Sequence, residues 1–234
     1  MAAAAVDLTR RLVAEGLSTA LLLATVVGSG IMAERLAGGN VGVALLANAL
    51  ATGAGLVALS LTFGPISGAH MNPAVTLAKV ALGGHRWRDA LPYVLAQVAG
   101  AFAGVALAHV MFDVAVFSAS HHARSGPPQL VSEFVATFGL LATIWGTARS
   151  RPAAVPFAVG AYITAAYWFT ASTSFANPTV TLARAATDTF AGIRPVDVPL
   201  FVVAQLLGAG AATALFQWLA PARAVDTSHR DEAP

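Results

Sequence analysis

The sequence predicts an all-α membrane protein with six membrane-crossing helices and two half-helices, arranged as two inverted repeats. Three observations carry that prediction. Hydrophobic residues make up 57% of the 234 positions and charged residues only 10%, against roughly 25% charge in a soluble domain, which is too little to cover a water-facing surface. Six charge-poor apolar runs reach the roughly 20 residues that a helix needs to cross about 30 Å of hydrocarbon. Finally, N-P-A-V-T-L-A-K at 72–79 returns as N-P-T-V-T-L-A-R at 177–184, with six of eight positions identical.

The six runs are about 12–33, 41–63, 90–112, 132–148, 155–172 and 198–219; the first carries Glu15, and the fourth opens with Glu133 and is the shortest. Arg10 and Arg11 before the first run look like the start of a signal peptide. Glu15 interrupts the apolar stretch and no small-residue cleavage pattern follows, so the run is assigned as a membrane helix. Two further stretches, 66–84 and 173–192, are broken by Asn-Pro and too short to span. One domain is expected over 9–220, with repeats at about 9–112 and 130–220, and a flexible cytoplasmic tail over 221–234. With both termini in the cytoplasm, nine basic residues fall inside (Arg10, Arg11, Lys79, Arg86, Arg88, Arg149, Arg151, Arg223, Arg230) and four outside (Arg35, Arg124, Arg184, Arg194).

The repeat extends beyond the octet. Residues 15–29 match 133–147 at seven of fifteen positions and residues 96–106 match 204–214 at six of eleven, in the same order in both halves. Each half holds three crossings, an odd number, so the second half enters the membrane from the opposite side. The Asn-Pro segments then dip in from opposite faces, with Pro73 and Pro178 in the first helical turn, where a missing N–H costs nothing. Non-helical backbone at that depth is tolerated only when packed in protein or lining a water-filled path, so 66–72 and 173–177 are expected to line one. The half-helix N-termini present positive dipole ends, and the Asn72 and Asn177 amides can donate to a passing oxygen, which favours neutral hydroxylated solutes over cations and protons. Helix capping alone is the other reading of an Asn-Pro pair.

The duplicated boxes, the six runs and the lead-in I-S-G-A-H-M-N-P-A at 66–74 resemble the aquaporin, or major intrinsic protein, family over residues 9–220. The resemblance implies an aquaporin-like fold, a passive pore in each protomer of a homotetramer, and boxes formed by Asn72, Pro73, Ala74 and Asn177, Pro178, Thr179. The family's second box normally ends Asn-Pro-Ala-Arg, its arginine forming the selectivity filter; here Val180 takes that place. Counted by the family's spacing, the other filter positions are Thr52, Ala165 and Ser174. All four are small and uncharged, which predicts a wider constriction than in water- or glycerol-selective members. A one-residue slip would replace Ala165 by Thr164 or Ala166.

Glu15 and Glu133 are ionisable residues inside membrane segments and so functional candidates. The family resemblance implies that they hold non-helical backbone by accepting its N–H groups. Gln97 and Gln205 read as inter-segment hydrogen-bonders, and His70 as a residue of the inner vestibule. Arg184, one turn beyond Val180, reads either as a half-helix end anchored at the interface or as a displaced cation at the outer mouth, and Lys79 holds the equivalent inner place. His121 and His122 read as solvated loop residues, and Gly100 and Gly104 as the seat of a neighbouring helix.

Net charge is +2 with no basic stripe, and cysteine is absent, so neither nucleic-acid binding nor thiolate chemistry is expected, and no cofactor or metal. The reading is a passive channel in the inner (plasma) membrane for metalloid hydroxides such as arsenite, with glycerol, urea and water. A water-selective pore is the nearest alternative. An ion-coupled secondary transporter, which also uses inverted repeats, is the alternative of another class.

Overall fold

The computed structural model describes residues 6–219. Within them the chain folds into eight α-helices without strands: α1 (Leu8–Leu36), α2 (Val41–Ser67), α3 (Pro73–Ala81), α4 (Trp87–Met111), α5 (Pro127–Ser150), α6 (Val155–Phe169), α7 (Pro178–Arg184) and α8 (Val198–Leu219). The expected tail over 221–234 lies outside the described residues.

Local chemistry sets the ends. Asp7 and Asn40 cap α1 and α2 by accepting from the N–H groups of Arg10 (3.0 Å) and Val43 (3.1 Å). Gly68, at φ 90°, closes α2 in the left-handed conformation that glycine adopts without a Cβ clash. α5 and α7 open on proline at the first helical position.

Five helices are long and apolar enough to cross a membrane. The shortest crossing is α6, with 15 residues, rather than the fourth run expected from the sequence. That run is the middle of a 24-residue helix, because its flanks are polar without being helix-breaking. α6 spans only about 22 Å, with a 3-10 turn at Pro152–Ala154 before it and an extended Thr170 after it.

The packing repeats. α1 lies against α2 and α4 as α5 lies against α6 and α8, while α2 meets α6 across the centre. The short helices interlock the halves. Ala74, Val75 and Ala78 of α3 join the second repeat's cluster with Leu140, Leu141 and Trp145, and Val180 and Ala183 of α7 join the first repeat's cluster with Leu23, Val27 and Val105. Leucines and valines such as Leu50, Leu95, Val203 and Leu207 face outward, as lipid contact requires.

Close approach depends on glycine at matched places. A Cβ on Gly100 would strike the Gly16 carbonyl oxygen, and one on Gly208 the Phe134 carbonyl oxygen; Gly53 and Gly160 face each other where α2 crosses α6. Gly100→Ala and Gly208→Ala are therefore expected to destabilise the protein by about 1–3 kcal/mol each through overpacking. Gly210→Ala, with open space at its Cβ, is expected to be neutral or slightly stabilising. Thermal unfolding in mild detergent reads all three.

Candidate functional site

Two stretches of non-helical backbone meet at the centre. Ala69 and Met71 before α3, and Ser174 and Ala176 before α7, all have positive φ (44°, 49°, 53° and 49°). Each such non-glycine residue costs about 1–3 kcal/mol and persists only where its surroundings enforce it. Here two fully buried carboxylates do so. Glu15 accepts from the N–H groups of His70 (2.7 Å) and Met71 (2.9 Å), from the Ser67 hydroxyl (2.8 Å) and from the Gln97 amide (2.8 Å). Glu133 accepts from the N–H groups of Phe175 and Ala176 (both 2.9 Å) and from the Gln205 amide (2.6 Å). Gln97 and Gln205 donate onward to Thr76 and Thr181, whose hydroxyls donate to the carbonyls of Asn72 and Asn177.

With the N–H groups turned back to the carboxylates, carbonyls are left over. Those of Gly68, Ala69 and His70, and of Thr173, Ser174 and Phe175, accept no hydrogen bond from any described residue. Five of these six residues line one central cavity of about 370 Å³.

Asn72 and Asn177 both line it, and each does two jobs. The Oδ1 of Asn72 caps α3 at the Ala74 N–H (2.9 Å), and that of Asn177 caps α7 at the Thr179 N–H (3.0 Å). The Nδ2 of Asn72 donates to the Ala176 carbonyl (2.8 Å), and that of Asn177 to the Met71 carbonyl (2.7 Å), so each amide crosses to the other half. An amide nitrogen carries two hydrogens, so one N–H on each remains for a solute oxygen. The capping and donor readings of the sequence are thus compatible. Pro73 and Pro178 sit at the first helical positions, Ala74 and Thr179 follow buried, and the Thr179 hydroxyl has no partner.

At the α3 side, His70 lines the cavity, its Nδ1 3.0 Å from the Thr76 hydroxyl. Its ring lies 5.1 Å from His85 and 5.4 Å from Tyr93, whose hydroxyl accepts from Arg11 Nε (2.8 Å). Burial, and then the Arg11 charge, hold the His85 imidazole below its ordinary range.

Of the positions counted as a filter, Thr52, Ser174 and Val180 line the cavity and Ala165 does not. Ala165 is exposed on the outer side of α6. The inward side of α6 carries Ile163 and Tyr167, and the Tyr167 hydroxyl lies 3.2 Å from that of Thr52. α6 ends at Phe169, and non-helical chain leads from there to Asn177. Neither slipped alternative, Thr164 or Ala166, lines the cavity either. This end therefore has aromatic walls, Tyr167 and Phe175, that the small-residue count lacked.

Arg184 is 2% exposed and lines the cavity with its guanidinium carbon 3.4 Å from the Phe175 ring centre. Arg124 approaches the same ring at 5.0 Å and donates to the carbonyls of Gly192 (2.8 Å) and Ser172 (3.3 Å). The sequence gives Tyr167 no role, places Phe175 only within the expected lining stretch 173–177, and marks Arg124 only as an outer basic residue. Phe175 had a signal, because it falls on His70 when the two boxes are superimposed. His121 bonds Asp188 at 2.9 Å, which ties the loop before α5 to the one after α7.

A cavity bounded by two inward-facing half-helices, lined by neutral donors and acceptors together with Lys79 and Arg184 and by no acidic residue among those described, is the geometry of a solute pore. The major intrinsic protein family model matches residues 2–165. The chain belongs to that family. It is 59% identical, over 94% of each chain, to the aquaglyceroporin AqpS of Rhizobium meliloti, and 31% identical to an aquaporin Z of Rhodopseudomonas palustris over 91% of this chain and 94% of that one. Its fold is similar to the X-ray structure of the aquaglyceroporin from Plasmodium falciparum, with a TM-score of 0.70 at 20% identity, covering 92% of this chain and 98% of that one. As a major intrinsic protein it is a passive membrane channel for small neutral solutes, not an enzyme.

The carboxylate ties yield a mutational expectation. Glu133→Gln turns an amide toward the two N–H groups of Phe175 and Ala176 and should cost about 1–3 kcal/mol for each donor left unpaired. Denaturant unfolding of reconstituted protein should show the loss, with solute flux falling in parallel. Glu15→Gln should behave alike, since His70 and Met71 stand in the same relation to it.

Proposed function

We propose that the channel passes compact polyhydroxylated neutral molecules, arsenous acid among them, together with glycerol, urea and water. The observation that carries this reading is the set of acceptors and donors around the cavity: five lining residues whose carbonyls accept from no described residue, the spare N–H groups of Asn72 and Asn177, and the hydroxyls of Thr52 and Ser174. A molecule with several hydroxyls can exchange its hydration for these contacts, whereas a solute without them leaves the polar wall unpaired. Arsenous acid is undissociated at neutral pH and close to a small polyol in shape. The Ser174 hydroxyl is buried without a partner, which suits a site completed by its cargo. The name of the Rhizobium meliloti relative, an aquaglyceroporin, points toward polyols.

A water-selective pore is favoured by one observation, the two aromatic walls beside Arg184. Stopped-flow swelling of proteoliposomes with water, glycerol, urea, boric acid and arsenous acid separates the two. Passage of the larger solutes at rates clearly above protein-free vesicles supports the proposal, and water passage alone selects the second reading. Dependence of uptake on an imposed proton or sodium gradient would favour a coupled transporter instead.

We further assign Thr52, Tyr167, Ser174 and Val180 to the constriction and the two Asn-Pro boxes to the midplane barrier. Both termini are placed in the cytoplasm of a cell with this protein in its plasma membrane, and four copies form a homotetramer; accessibility labelling and native mass measurement check these two assignments. Val180→Arg should reduce glycerol and arsenous acid uptake about tenfold, a barrier increase of about 1.4 kcal/mol, while leaving water flow within about twofold. Asn177→Asp should weaken cation exclusion by placing a negative charge at the midplane, read as proton leak with a pH-sensitive dye inside the vesicles.

A further inference from the structure

We infer that Arg184 supplies the cation of the constriction in this channel, reaching it from one helical turn beyond the position that Val180 occupies. The inference rests on the pore reading above and adds a specificity-determining residue to it.

The helix geometry allows this reach. Residues 180 and 184 share a face of α7, about 6 Å apart along its axis. A helical side chain leans back over the turn N-terminal to its own Cα, so Arg184, the last residue of α7, covers the surface above Val180 rather than the water beyond the helix. Valine there is small enough to leave that lane open.

The surroundings favour a pore group over an anchor. An interfacial arginine keeps its charged head in water, yet Arg184 is 2% exposed. Its Nε–H donates to the Ala191 carbonyl, and the guanidinium carbon sits 3.4 Å from the Phe175 ring centre. Nη1 and Nη2 donate to no described residue, and Arg184 has no carboxylate within ion-pairing distance among those described. A desolvated guanidinium with four unspent N–H groups on the wall of a cavity is a donor array for a passing oxygen. Arg124, next to the same ring, spends its own N–H groups on Gly192 and Ser172 and so stiffens the chain that carries Phe175.

Water and erythritol permeabilities of proteoliposomes test the inference, with protein content per vesicle quantified so that the erythritol-to-water ratio is compared at known insertion. Arg184→Gln should raise that ratio by roughly an order of magnitude, the scale of one lost hydrogen-bonding constriction, and should raise proton leak. The double variant Val180→Arg with Arg184→Gln should bring the ratio back toward that of the unmodified protein, because the guanidinium is returned to the same lane from the neighbouring turn. Should Arg184→Gln fail to insert, Arg184→Lys keeps the charge but not the planar fork and should still raise the ratio about twofold. An unchanged ratio and proton leak in whichever variant inserts overturns the inference. Failure of the broader solute reading would show instead in the unmodified protein, as exclusion of glycerol and arsenous acid.

Discussion

Two carboxylates with no exposure to solvent, Glu15 and Glu133, are the constraint on which the central architecture depends. Backbone N–H groups cannot stay unpaired at the depth of a membrane core, and the chain entering each half-helix is not helical, so those of His70, Met71, Phe175 and Ala176 find their partners on another helix. Each carboxylate takes two successive N–H groups and a glutamine amide. That set of bonds holds left-handed conformations at Ala69, Met71, Ser174 and Ala176 against their intrinsic cost.

The pathway follows from that arrangement. Turning the N–H groups outward to a carboxylate turns the carbonyls inward, and it is those carbonyls that have no partner among the described residues. The asparagines then join the halves. Each caps its own half-helix and donates across to the carbonyl before the other's box. Support, closure of the two repeats and the polar lining are thus one hydrogen-bond system, and the short helices, packed into opposite hydrophobic clusters, fix its position.

The repeats are symmetric where they build the scaffold and different at the two ends of the cavity. Glu15 and Glu133, Gln97 and Gln205, and Gly100 and Gly208 do the same work in each half. At the ends of the cavity, His70 is answered by Phe175 and Lys79 by Arg184. One end accordingly offers an imidazole beside Tyr93, and the other an aromatic face covered by a guanidinium.

By itself the sequence determined the helical class, the inverted duplication and the two half-helices, because these rest on apolar run lengths, on an odd number of crossings per repeat and on proline after asparagine, all properties of the linear chain. It also marked Glu15, Glu133, Asn72 and Asn177, which stand out as polar residues in an apolar context. Only the tertiary structure decided which residues line the cavity at the Arg184 end. Linear spacing does not say which side of α6 meets the cavity: Tyr167 lines it and Ala165 does not, as the packing of α6 against α2 and α5 determines. The fate of Arg184 was equally beyond the sequence: whether a cation at a helix end reaches water or folds back over the preceding turn depends on the Ala191 carbonyl and the Phe175 ring, which only the folded chain brings to it.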